Sequence, residues 1–178
     1  MKKSTKGVLA AGAAAVLLLG GAGSLAYWTS GDTVTGTGID AGTLKLEPAD
    51  ADAPCTGWTF ADGTAYAATD KVVPGDVLSK TCTYTLTVTG KHLSGTISAS
   101  TPTFADGSGP ALVADLHPTV AVRDTTDGGD LATFTKDQDG HRLSVVVSVP
   151  FDAASSNNSQ GLSATLDSIT VTASQNHS

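Results

Sequence analysis

The 178-residue chain is short of most residue types that carry catalysis or charge-driven binding. It has two cysteines, one methionine and four histidines, and aromatics make up only 5% of it. Ten Lys and Arg stand against 17 Asp and Glu, a net charge of -7 at pH 7. Three of those ten lie within the first six residues, so beyond residue 26 the balance is 7 basic against 17 acidic residues, a net of -10. Such a surface repels nucleic acid and anionic lipid, and no later cluster of Lys or Arg reverses that. No H-E-x-x-H, G-x-S-x-G or C-x-x-C motif occurs, and His92, His117, His141 and His177 stand alone without ligand spacing. Neither an enzyme nor a metal or cofactor site is expected. Past residue 28 no apolar run approaches the roughly 18 residues of a membrane-spanning helix, and no cysteine is placed for lipid attachment.

The beginning of the chain is different. Lys2, Lys3 and Lys6 form a basic start, residues 8–19 an unbroken apolar run, and Ser24-Leu25-Ala26 supplies small residues where a signal peptidase cuts. This reads as an export signal, residues 1–26, cleaved between Ala26 and Tyr27 and in contact with the membrane only in transit. An uncleaved anchor is the competing reading, because residues 8–28 could just cross a hydrocarbon layer of roughly 30 Å. Export favours oxidation, and two cysteines permit one intramolecular pairing, so Cys55 and Cys82 are expected to form a disulfide.

Residues 27–38 (YWTSGDTVTGTG) offer Tyr27, Trp28 and Val34 as their only large apolar groups, an extended segment with little to bury. Alternation begins in residues 39–46, where Leu44 and Leu46 share a face. Residues 47–71 read as a long surface excursion pinned by Cys55 and Trp58, and Val73-Pro-Gly-Asp76 as a type II turn. The clearest strand is 80–90, with Cys82, Tyr84, Leu86 and Val88 on one face and a row of threonines on the other. Further strands are expected at 93–100, 119–123, 130–136 and 141–149, the last central, with a single helical turn near residues 111–116. Residues 130–136 are expected to pair with 119–123, and the turn at Asp137–Gly140 to close a hairpin into 141–149. A parity switch near Asp167-Ser168 marks a break in the final strand region. Short alternating strands with frequent turns imply an all-β fold, an antiparallel β-sandwich over residues 39–178, with jelly-roll and immunoglobulin-like arrangements both open. The acidic turns Asp124-x-x-Asp127-x-x-Asp130 and Asp137-x-Asp139 lack a full calcium loop and read as ordinary turn aspartates.

A sandwich with an exposed edge can accept an extended strand from a neighbour, and residues 27–37, freed only by cleavage, are the natural donor. Four stretches then carry a family likeness in order along the chain: Gly23-Ser-Leu-Ala-Tyr-Trp28, Ile39-Asp-Ala-Gly-Thr-Leu-Lys-Leu46, Val73-Pro-Gly-Asp-Val-Leu-Ser-Lys80 and Leu166-Asp-Ser-Ile-Thr-Val-Thr-Ala-Ser-Gln175. In these the chain resembles the TasA and CalY (camelysin) secreted matrix proteins, whose leaders are processed by a SipW-type peptidase. The resemblance implies a jelly-roll domain, secreted or at the cell surface. It also implies assembly into biofilm-matrix fibres with copies of itself or related matrix proteins, each N-terminus completing the next subunit's sheet. Tyr27, Trp28 and Val34 are the expected assembly residues. A monomeric exported binding module for glycan or protein is the alternative.

Overall fold

The structure is a computed structural model that describes residues 30–176. The signal segment, the Ala26–Tyr27 cleavage position, Tyr27, Trp28 and His177 lie outside the described residues. Two units divide the chain after Ile39. Of the first, residues 30–39 are described: they form neither helix nor strand and all are exposed.

The second unit is a β-sandwich. Its larger sheet runs in the order β1 (Thr43–Pro48), β3 (Val77–Thr89), β8 (Arg142–Pro150), β5 (Thr119–Asp124), β6 (Gly129–Asp130), with the short β2 (Thr59–Phe60) also on β3. The smaller sheet is β7 (Thr133–Thr135), β4 (Ser94–Ala99), β9 (Val171–Gln175), and every pairing in both is antiparallel. The one α-helix among the described residues, α1 (Pro110–Asp115), is the expected short turn of helix, with Pro110 at its start where a missing N–H costs nothing. Period-two alternation builds the core. On β3, Leu86 and Val88 are fully buried, and on β8 Leu143, Val145, Val147 and Val149 all point inward, which leaves β8 central as expected. Phe134 on β7 closes the core from the smaller sheet against Leu93 and Ile97. The threonine row on β3 is half-buried from Thr81 to Thr87.

The excursion over residues 47–71 is tied down as its residues suggested. Cys55 is bonded to Cys82 in the middle of β3, and Trp58 lies under the Lys80 ammonium at 5.9 Å. A short hairpin is added within it, where β2 pairs with β3, Phe60 N–H donates to Thr64 C=O, and the Phe60 and Tyr66 rings meet edge to face. Gly75 takes φ +95° and Asp76 N–H donates to Val73 C=O, the expected turn.

Three sequence expectations are corrected. The first strand starts at Thr43, and Ile39 is 91% exposed, because its partner β3 ends at Thr89 and offers residues 39–42 nothing to pair with. Residues 130–136 are not one strand: Gly129–Asp130 pairs with β5, and Thr133–Thr135 crosses to the other sheet. Leu131 and Phe134 both turn inward although an odd number of residues apart, and a continuous strand cannot do that. Asp137–Gly140 therefore closes no hairpin, since β7 and β8 lie in different sheets. Residues 136–138 form a 3-10 turn capped by Thr135 and Gln138. The Asp139 carboxylate then accepts from Val88 N–H, and Gly140 N–H donates to Leu86 C=O, so the segment seals the end of β3.

The disulfide spans 27 residues of sequence, a loop whose closure is worth about 3.5 kcal/mol. Cys55→Ala/Cys82→Ala is therefore expected to lower the unfolding free energy in urea by about 3.5 kcal/mol. Reductant should lower the wild type equally and leave the variant unchanged. A side chain at Gly95 would strike the Ser174 carbonyl oxygen and the Phe134 ring well inside contact distance. Gly95→Ala should cost about 1–3 kcal/mol in the same measurement, the usual range for overpacking.

Candidate functional site

Two features of the sandwich are candidates for function, and they adjoin. The first is a slot between the sheets. β5 runs from residue 119 to 124, but β6 covers only Arg123 and Asp124 on its outer side. β4 runs from 94 to 99, and β7 covers only Ser94 to Thr96. The linker between β6 and β7 bridges the two edges, with Leu131 N–H donating to Val122 C=O and Ala132 C=O accepting from Ile97 N–H. Beyond it an open cleft of about 320 Å³ remains, lined by Ile97, Ser98, Ala99, Val120, Ala121 and Val122.

Antiparallel alternation says which backbone groups face this cleft. Val122 C=O points outward to Leu131, so Val120, two residues back, presents both its N–H and its C=O the same way. Ile97 N–H points outward to Ala132, so the Ile97 C=O and the Ala99 N–H and C=O do as well. Among the described residues nothing pairs with these groups of Val120 and Ala99. The slot thus offers two strand edges and a largely apolar floor, closed at one end by Asp130, Leu131 and Ala132.

The second feature is a polar clasp beside it. His141 Nδ1 lies 2.7 Å from Asp124 Oδ2 and 3.8 Å from Asp127 Oδ2. The sequence reading of His141 as isolated is thereby corrected. Its partners sit 14 and 17 residues away, and only the β5–β8 register, which sets Asp124 opposite Leu143, brings them to the ring. Asp124 is 4% exposed, yet its carboxylate is fully used: Oδ1 accepts from the N–H groups of Thr126 and Asp127, and Oδ2 meets His141. Ligand atoms of Asp124, Asp127 and His141 lie within 4.8 Å of one another, a spacing that a divalent ion could bridge. With every Asp124 oxygen already engaged, the arrangement acts first as a clasp on residues 124–127.

Burial pushes the Asp124 carboxyl up, but the hydrogen bond from His141 and those from the two amides outweigh it and hold the group below its ordinary 3.8. The hydrogen bond to Asp124 raises His141 above 6.5 against partial desolvation, with help from the charges of Asp124 and Asp127.

No protein-family model matches the chain, and no curated protein matches it either. Of the residues singled out in the sequence, Cys55 and Cys82 are joined, while Val34 is 93% exposed on the extended segment. Sequence reading missed Val120, Ala99 and the clasp. Only the parity conflict between Leu131 and Phe134 hinted that a strand would end early there.

The signs of the two shifts define a pH window. A raised histidine stabilises the fold fully below 6.5 and stops doing so as pH rises through its folded value. A lowered aspartate stabilises it above 3.8 and stops as pH falls through its folded value. The clasp is therefore complete between about pH 4 and 6.5. Asp124→Asn should bring the His141 ring titration, followed by NMR, down toward 6.5 and remove the loss of stability expected of the wild type as pH rises through the folded-state titration.

Proposed function

We propose that the chain is a secreted structural protein of an extracellular matrix that assembles into fibres with copies of itself, without catalysis. Residues 27–37 of one subunit, freed when a SipW-type peptidase removes the leader, lie in the slot between β4 and β5 of the next. The supporting observation is the slot itself, where Val120 and Ala99 present unpaired backbone groups beside an apolar floor. An uncovered strand edge is a template for another chain, and proteins that stay monomeric blunt such edges with charge or proline. The outer edge of β5 that the linker leaves free, residues 119–121, is roughly 10 Å long, room for three residues of strand. Residues 33–35, β-branched throughout, suit that length, with Val34 directed at the floor and Tyr27 and Trp28 beyond its end. The Cys55–Cys82 disulfide is consistent with an oxidising compartment such as the cell exterior. In this reading the sandwich is a jelly roll that lacks part of one strand, and the donor supplies it.

Protein beginning at Tyr27 is expected to form filaments visible by electron microscopy, whereas protein beginning at Gly38 should sediment as a folded monomer. Val120→Pro removes one outward N–H and leaves the ladder to β8 intact, so filament yield should drop at least about tenfold with an unchanged circular-dichroism spectrum. Equal filament yield from the shortened protein would refute the reading.

A further inference from the structure

Four strands form the outer margins of the two sheets, β1 and β6 in the larger and β7 and β9 in the smaller. Three of them are poor templates for another chain. β1 carries Lys45, Glu47 and Pro48, β6 has two residues, and β7 has three and runs directly into Lys136. β9 is different. It is five residues long, Val171-Thr-Ala-Ser-Gln175, and no Lys, Arg, Asp, Glu or Pro occurs from Ser168 to Gln175.

The hydrogen-bonding direction of β9 is fixed at both of its ends. Ser100 N–H donates to Thr170 C=O, Asn176 N–H donates to Ser94 C=O, and the register sets Thr172 opposite Ser98 and Ser174 opposite Thr96. The even-numbered residues therefore face β4. Val171, Ala173 and Gln175 turn N–H and C=O the other way, and among the described residues nothing pairs with those groups. The side chains of Val171 and Ala173 pack on the core, whereas Thr172 and Ser174 are exposed.

We propose that β9 is an interface for a second copy of this chain, the two β9 strands pairing antiparallel about a twofold axis at Ala173. Ala173 exchanges both of its bonds with its counterpart, and Val171 does so with Gln175 of the partner subunit, so every outward group is satisfied. On the solvent face Thr172 lies opposite Ser174 of the partner subunit, a favourable hydroxyl pair. Charge favours a copy at this strip. Beyond residue 26 the chain carries a net of -10, so two copies repel over most of their surfaces and can meet across an uncharged strand. β1, the margin of the larger sheet on the same side, brings Lys45 and Glu47 paired with each other at 3.8 Å and adds no net charge. The strip offers a foreign protein no charge to be selected by, whereas a copy presents the same residues in a register that leaves no group over.

Five residues a side fall well short of the area of a stable dimer, so a dilute subunit stays monomeric. Along a filament the contact repeats, and many weak contacts act together. Lateral pairing of filaments rests on the fibre reading; the β9 contact itself does not.

Sedimentation equilibrium tests the contact on protein beginning at Tyr27 and carrying Val120→Pro, whose slot lacks one outward N–H, from about 10 µM to about 1 mM. The average mass should rise toward twofold. In NMR spectra the Val171, Ala173 and Gln175 amides should shift with concentration, while those of Thr172 and Ser174, already bonded to β4, stay in place. Ala173→Pro removes the central outward N–H and should leave a monomer throughout. Thr172→Lys/Ser174→Lys sets like charges opposite each other and should weaken association about tenfold, and Thr172→Lys/Ser174→Glu sets opposite charges there and should restore it. A mass independent of concentration, or equal association in the two double variants, overturns the proposal. So does association that is lost when the chain begins at Gly38, which would put the N-terminal segment on the edge instead. In electron micrographs wild-type filaments should lie in pairs, and those of Thr172→Lys/Ser174→Lys singly at unchanged yield. Equal pairing in both overturns the lateral role, and a wild type without filaments sinks strand donation while the mass measurement still decides β9.

Discussion

The antiparallel pairing of β3 with β8 is what the rest of the molecule is built upon. It runs from Val77 opposite Pro150 to Thr85 opposite Arg142, the longest ladder among the described residues. By alternation it sets Tyr84 opposite Leu143 and Cys82 opposite Val145, and Leu86 and Val88 continue the same face of β3 past its end. Every other element either extends that ladder sideways or covers its face. β1 and β5 flank it, β4 and Phe134 lie over it, and Cys55 fastens the long excursion to its middle. The ladder is also why residues 139–141 sit where they do, since they carry its hydrogen bonding past Arg142 to the end of β3.

The slot follows from how the smaller sheet is reached. The chain must pass from the larger sheet to the smaller one between β6 and β7, and it does so within Leu131 and Ala132. A crossing that abrupt leaves both of its strands short. β5 and β4 are each longer than the partner that covers them, and the uncovered halves face one another across the same gap. Backbone groups left in such a position prefer water or another strand to burial, and their side chains give no protection against the latter.

The crossing also explains the clasp. A turn that leads into a two-residue strand has little ladder to hold it, and the fold compensates with side-chain hydrogen bonds from one buried carboxylate. Removing an aspartate from water is costly unless every oxygen finds a donor. Asp124 finds three, of which only the imidazole changes with pH near neutrality.

Alternation in the residues themselves determined the fold class, the central place of residues 143–149, the inward face of β3 and the turn at Pro74-Gly75. Each of these depends on neighbours in sequence and on a period of two, which no distant contact needs to supply. The paired cysteines were legible too, because a count of two leaves one intramolecular partner. What only the tertiary structure decided is which strand lies beside which. Residues 130–136 show strand character at both ends, and nothing local says that the two ends belong to different sheets. Asp124 and His141 are ordinary residues apart, and the register of β5 on β8 alone makes them a pair. Hydrogen-bond alternation can be counted along a strand, but whether an outward-facing group is satisfied depends on a neighbour that the strand's own sequence does not name.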